Sequence, residues 1–351
     1  MKFKYSSLLV SGLVLATFAT STVNADEANN VVNGGQLKIT KNFDLRSGVL
    51  SPKADFAFTV SSVTPSPGEE KDGLTVFSGI TTGLKESKVS YDNNSTTNNK
   101  TKTTTVDFSG VNYPKPGIYR YTIKENAGSV PGVSYDTKGY TVDVYVLADD
   151  ENGHITYKPR YIVSHDSTKT AKEPVVFNNE FKTTSLKVSK KVTGNAGDRN
   201  KEFTFSINLN DVADNKTYEL GNVEMTITKK DGSSSKIQVP VTNKPTAFTL
   251  KDGESATIDK LPIGIHYSVG ETQVDGYKQS ATINKDTSKS TTTEYSLGDD
   301  ELSSGTAAEI IVTNTKDSTT PTGVSMTIVP YVGLTIIALG GVLYVLKKRK
   351  A

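Results

Sequence analysis

The sequence predicts an all-β chain: two tandem β-sandwich domains between an N-terminal signal peptide and a C-terminal membrane-crossing helix. Three observations carry that expectation. Short runs rich in Val, Ile, Thr, Tyr and Phe fill the middle, punctuated by Gly, Pro, Asn and Asp. The same short motifs occur twice in the same order, the mark of a duplicated fold. Each end carries an apolar stretch flanked by basic residues.

Residues 1–25 place Lys2 and Lys4 before an apolar core at 8–16, then Val23-Asn24-Ala25. That pattern reads as a secretory signal peptide, cleaved after Ala25 or within a residue or two of it, so the mature chain is expected to be exported. It has no cysteine. An exported protein has access to disulfides, so this one must be stabilised by other means or not at all, and thiolate metal sites and thiol catalysis are excluded. The 40 Lys and Arg nearly balance 38 Asp and Glu, and no basic stripe occurs outside the tail; nucleic acid is not an expected partner. His154, His165 and His266 are scattered without metal-ligand spacing. There is no Gly-x-Ser-x-Gly elbow or phosphate-binding glycine loop. No metal, cofactor or turnover enzyme is expected.

Residues 26–182 form the first expected sandwich, with strand runs such as 140–147 (YTVDVYVL). Residues 183–318 form the second, with 203–209 (FTFSINL) and 310–313. The join falls near 180–185. Two polar low-complexity segments, 92–105 and 285–293, are expected to be exposed loops. The repeat pairs Leu37-Lys38-Ile39-Thr40-Lys41 with Leu186-Lys187-Val188-Ser189-Lys190, and Asp55-Phe56-Ala57-Phe58 with Glu202-Phe203-Thr204-Phe205. It continues with Tyr121-Thr122-Ile123-Lys124-Glu125 against Tyr267-Ser268-Val269-Gly270-Glu271. It ends with Val175-Val176-Phe177-Asn178-Asn179 against Ile310-Ile311-Val312-Thr313-Asn314.

Residues two apart on a strand share a face. Lys41 therefore continues the apolar face of Leu37 and Ile39, Glu125 that of Tyr121 and Ile123, and Asn179 that of Val175 and Phe177. Lys190, Glu271 and Asn314 do the same in the second half. A lone lysine at a strand end usually snorkels to water, but the trio recurs with one parity. If the three are buried together, desolvation lowers the lysine pKa and raises the glutamate pKa. A neutral amine is a nucleophile. A protonated acid can polarise the carboxamide and pass a proton to the departing ammonia. The product is an internal amide, formed once.

These residues look like the Cna B-type immunoglobulin-like domains of Gram-positive surface proteins. The resemblance implies that Lys41 bonds to Asn179 with Glu125 assisting, and Lys190 to Asn314 with Glu271 assisting. It also implies that Phe56/Phe58 and Phe203/Phe205 dry the pockets. With Lys on the first predicted strand and Asn on the last, such a bridge would carry a pull past the sheet.

The tail follows. Residues 324–346 are long and apolar enough to cross a bilayer, and the basic 347–351 would stay cytoplasmic. Immediately before stands 319–323 (TTPTG). The arrangement looks like a sortase sorting signal, although the common form is Leu-Pro-x-Thr-Gly. That likeness implies a precursor held transiently in the membrane, cleavage between Thr322 and Gly323, and transfer of the Thr322 carbonyl to an amine. Overall the chain resembles streptococcal backbone pilins of the T-antigen type, through stretches such as Val130-Pro131-Gly132-Val133-Ser134-Tyr135-Asp136 and the variant signal. The resemblance implies a pilus shaft subunit at the cell surface. Its acceptor would be Lys172, with Lys169 the second choice. Its partners would be sortase, further copies of itself, minor pilins, and peptidoglycan through a basal subunit. The alternative is a monomeric wall-anchored adhesin for a host matrix protein.

Overall fold

The computed structural model describes residues 31–94, 100–151, 153–211, 217–218 and 221–318. The expected signal peptide (1–25), the sorting motif with Thr322 and Gly323, the membrane-crossing helix (324–346) and the basic tail (347–351) lie outside the described residues.

The first half holds β1 (Val31–Asn33), β2 (Gln36–Asp44), β3 (Ala54–Ser62), β4 (Glu70–Lys71), β5 (Leu74–Ser78) and β6 (Ser87–Tyr91). It continues with β7 (Thr101–Asp107), β8 (Gly117–Glu125), β9 (Val133–Ser134), β10 (Gly139–Glu151), β11 (His154–Asp166) and β12 (Val175–Phe181). The second half holds β13 (Thr183–Thr193), β14 (Phe203–Asn210), β15 (Asn222–Thr228), β16 (Ser234–Pro240), β17 (Thr246–Leu250) and β18 (Ser255–Pro262). It ends with β19 (His266–Glu271), β20 (Lys278–Asn284), β21 (Thr293–Glu294), β22 (Glu301–Leu302) and β23 (Ala308–Thr315). Among the described residues every regular element is a strand.

Each half is a two-sheet sandwich. In the first, β1-β11-β10-β8-β3-β6 face β7-β2-β12-β9. In the second, β16-β15-β18-β13-β23-β20-β21 face β17-β14-β19-β22. The inward residues follow the period of two: Leu37, Ile39, Lys41 and Phe43 are buried on β2, and Val175, Phe177, Asn179 and Phe181 on β12. The halves are two tandem immunoglobulin-like sandwiches.

One pairing controls the rest. β12 lies parallel to β2, with Phe177 opposite Lys41 and Asn179 opposite Phe43. β23 lies parallel to β13, with Val312 opposite Lys190 and Asn314 opposite Val192. In both halves the asparagine is thus two residues along from the lysine on the neighbouring strand, and both point into the core.

The structure corrects two sequence expectations. Residues 101–105, taken as loop, are part of β7, which pairs antiparallel with β2. Its Thr-rich run suits a strand, since branched side chains favour the pleated surface, and its polar face is exposed. Lys41 is on the second strand, because β1 precedes it and adds to the edge beside β11. Apart from these, β10 departs from simple alternation, being buried on both faces along most of its length. The β4–β5 hairpin attaches through β5 to β8 and covers the outer side, where Val76, Ile118, Tyr145 and Val163 make a small second core. Beneath it Asp143 is fully buried, bound by Arg120 at 2.7 and 3.1 Å and by Lys71 at 2.9 Å.

The halves share one apolar core across their junction. Phe181 meets Tyr218 at 6.3 Å, and the Lys53 amide donates to Thr217 O at 2.8 Å.

Candidate functional site

In the first sandwich Lys41 and Asn179 rise from one sheet, and Glu125 comes down from the other on β8. Lys41 is 0 % exposed and Asn179 2 %. Lys41 Nζ donates to Glu125 Oε2 at 3.2 Å and lies 3.2 Å from Oε1. Asn179 Nδ2 donates to Glu125 Oε1 at 2.8 Å. One carboxyl thus bridges the amine and the carboxamide. The opposite side of the amide is also held, because Asp136 N–H donates to Asn179 Oδ1 at 2.9 Å. Phe56 lies 4.5 Å from Lys41 Nζ. Phe58 sits opposite Glu125 in the β3–β8 ladder and stacks on Phe177 at 5.0 Å.

The second sandwich repeats the plan. Lys190 Nζ donates to Glu271 Oε1 at 2.6 Å, and both side chains are fully buried. Phe203 lies 4.1 Å from Nζ and Phe205 5.6 Å. Asn314 is 1 % exposed, and neither polar atom of its side chain has a hydrogen-bond partner. The other Glu271 oxygen instead accepts from Gln279 Nε2. Gln279 stands opposite Asn314 in the β20–β23 ladder and reaches across the sandwich. A buried carboxamide left without partners costs about 1–3 kcal/mol, a cost that reaction with Lys190 would relieve.

Burial sets the protonation states. Desolvation pushes Lys41 down to about 8, against the opposing attraction of Glu125 and Asp136. Desolvation likewise pushes Glu125 up, against the pull of Lys41 and of its hydrogen-bond donors. Lys190 is lowered by burial, with Glu271 opposing. An ionised pair in so dry a place gains little over its desolvation penalty, whereas a neutral amine beside a neutral acid is a reactive pair.

Nucleophilicity requires loss of the Lys41 proton and favours higher pH; proton delivery requires the acid form of Glu125 and favours lower pH. Closure of the first domain should therefore have a bell-shaped pH profile. Its rate should rise as pH approaches about 8 from the acid side and fall once the pair has lost its last proton, with both flanks belonging to the coupled pair. The check is a time course in which unfolded, unreacted chain is diluted into buffers of different pH and crosslinked mass is counted. A rate that climbs without limit with pH would remove the acid from the mechanism.

Lys172 and Lys169 are both exposed on the segment between β11 and β12. The segment is pinned where Glu173 N donates to Ser164 O at 2.9 Å and Ser164 Oγ to Glu173 O at 2.7 Å. Lys169 forms ion pairs with Asp166 and Glu173 at 3.8 Å. Two contributors to the buried sites, Asp136 and Gln279, escape sequence reasoning. Asp136 acts there through its main chain, which no side-chain pattern reports, and Gln279 sits on a strand the motif repeat does not cover. Among the described residues no group of three or more His, Asp or Glu is placed to hold a metal.

Two stacked immunoglobulin-like sandwiches, each burying Lys, Glu and Asn together, define the class of isopeptide-type structural proteins of the cell surface. The comparisons agree: residues 37–182 match the family described as a Spy0128-like isopeptide containing domain, and 184–316 match a domain of unknown function. A pilin of Streptococcus pyogenes serotype M1 is 37 % identical over 358 residues, covering 99 % of this chain and 100 % of that protein. The solved major pilin T3.2 of Streptococcus pyogenes is 38 % identical at a TM-score of 0.75, covering 82 % of this chain and 100 % of that one. Another major pilin of that organism is 34 % identical at 0.73, with 82 % and 100 % covered. The chain belongs to the streptococcal major pilin family. It is a structural subunit of a pilus shaft.

Proposed function

We propose that each domain of this pilin closes one Lys–Asn isopeptide bond on itself, Lys41 to Asn179 and Lys190 to Asn314, and that sortase then joins the subunits head to tail. The observation that carries the first part is Glu125 bonded at once to Lys41 Nζ and Asn179 Nδ2. Neutral Lys41 Nζ attacks Asn179 Cγ while the protonated Glu125 carboxyl gives its proton to the asparagine amide. The carboxylate so formed takes a proton from the attacking Nζ, the Cγ–Nδ2 bond breaks with the delivered proton on Nδ2, and ammonia leaves. An amine and a carboxamide become an amide and ammonia, with Glu125 unchanged. Glu271 serves Lys190 and Asn314 in the same role. Turnover stops at one, because the nucleophile is consumed.

After export the precursor is held by 324–346, sortase cleaves between Thr322 and Gly323, and the Thr322 carbonyl passes to Lys172 of the next copy. Supporting this, Lys172 is exposed on an anchored segment beside β12. Joining a tail to a side of the next copy is a heterologous contact that gives an open filament. Minor pilins and, through a basal subunit, peptidoglycan complete the partners. Lys172→Arg keeps the charge without a transferable primary amine, so it should abolish the ladder of high-mass bands in cell-wall extracts, while Lys169→Arg should leave it. The reverse pattern would move the acceptor to Lys169, and an intact ladder in both would place it elsewhere.

A further inference from the structure

The proposed chemistry assigns the acid and leaves open what receives the charge that builds on the asparagine oxygen when the amine attacks. In the first domain that oxygen, Asn179 Oδ1, faces Asp136 N–H at 2.9 Å. A main-chain N–H only donates, so it sets the orientation of the carboxamide: Oδ1 toward Asp136, Nδ2 toward Glu125. The nitrogen that must leave is thereby placed against the group that protonates it.

The donor is itself fixed. Asp136 Oδ2 accepts from Asn178 N at 2.7 Å, and Oδ1 accepts from Lys138 N at 2.8 Å. The carboxylate therefore ties its own segment, between β9 and β10, to the residue directly before the electrophile. Asn178 N lies on β12 just before the stretch where β9 pairs with it, at Glu180 and Phe181. The Asp136 side chain extends that contact beyond the short ladder.

We infer that Asp136 is a positioning residue for closure of the first domain, its carboxylate holding its own main-chain N–H as the donor that stabilises the developing oxyanion on Asn179. The inference rests on the reading that Lys41 and Asn179 join. Donors preset at the site of developing charge act without reorganisation, and loss of one costs on the order of 100- to 1000-fold in rate. The second domain supplies the contrast. Asn314 has no donor on Oδ1 and no acceptor for Nδ2, and Gln279 takes the Glu271 oxygen that its nitrogen would use. The first domain is set to react as folded; the second must first rearrange. Closure in the first domain therefore precedes closure in the second.

The test follows both branched peptides by mass spectrometry while unreacted full-length chain refolds. In wild-type protein the Lys41–Asn179 peptide should accumulate before the Lys190–Asn314 peptide. Asp136→Ala should slow the former about 10- to 100-fold, a loosened rather than deleted donor, and leave the latter unchanged. Asp136→Asn, which keeps one acceptor of the two, should fall between. A stability control uses the Glu125→Ala background, which does not close: there Asp136→Ala should leave hydrogen-exchange protection of β2 and β12 in place. Wild-type kinetics in Asp136→Ala would overturn the inference, as would loss of that protection, which would make the slowing a matter of folding. Absence of any Lys41–Asn179 peptide in wild-type protein would instead overturn the underlying reading.

Discussion

Glu125→Ala protein should weigh one ammonia more than wild-type protein, corrected for the substitution, and its first domain should unfold far more readily. The mass follows from the bridge: without Glu125 neither Lys41 Nζ nor Asn179 Nδ2 keeps its shared partner, so no proton reaches the leaving nitrogen. The stability follows from chain entropy. Opening the covalent loop between Lys41 and Asn179 returns about 5 kcal/mol of freedom to the unfolded chain on the disulfide scale, a large part of a typical domain's net stability. A second cost comes from the folded side, since Lys41 stays 0 % exposed and loses its acid. Asn179→Ala separates the two, for it opens the same loop but keeps the Lys41–Glu125 pair. The expected order of first-domain stability is wild type, then Asn179→Ala, then Glu125→Ala, read by denaturant unfolding with a probe in that domain. Equal corrected masses for Glu125→Ala and wild type would end the autocatalytic account for this domain.

How far the site was legible in the sequence depends on which geometry each residue obeys. Lys41, Glu125 and Asn179 each extend an apolar face at a spacing of two, and strand geometry is rigid enough that parity alone sends them inward. Their burial on β2, β8 and β12 obeys that parity. Parity says nothing about which strands are neighbours. That β2 and β12 run parallel side by side, with Glu125 opposed from the other sheet, is a property of topology. Composition misled at 101–105, where Lys and Thr read as loop although Thr is a good strand residue. Alternation also failed on β10. It would place Asp143 and Tyr145 in water, but both lie under the β4–β5 hairpin. A hairpin folded over the outside of a sheet leaves no periodic trace in the strand it covers.

The two proposed bonds would differ most under load. If the next subunit is attached at Lys172 and this one continues through Thr322, tension enters just before β12 and runs along it. Lys182 alone separates β12 from β13, so tension passes directly to Lys190. There the chain offers two routes to Asn314: the body of the second domain, or the isopeptide bond. The bond is the shorter, and the domain carries no strain while it holds. A Lys41–Asn179 bond would be outside this route, since Lys41 lies on a part of the chain that precedes Lys172. It would stabilise the first domain without carrying the shaft's tension, a departure from the symmetrical role the sequence repeat suggests. Glu271→Ala fibres stretched between two beads should therefore lengthen in steps, each releasing the chain between Lys190 and Asn314. At about 3.4 Å per residue that is roughly 400 Å per subunit before correction for the folded span. Glu125→Ala fibres should keep wild-type length at the same force, despite the less stable first domain. If the Glu125→Ala fibres were the ones to lengthen, the load would have to enter upstream of Lys41, and Lys172 would not be the point of attachment.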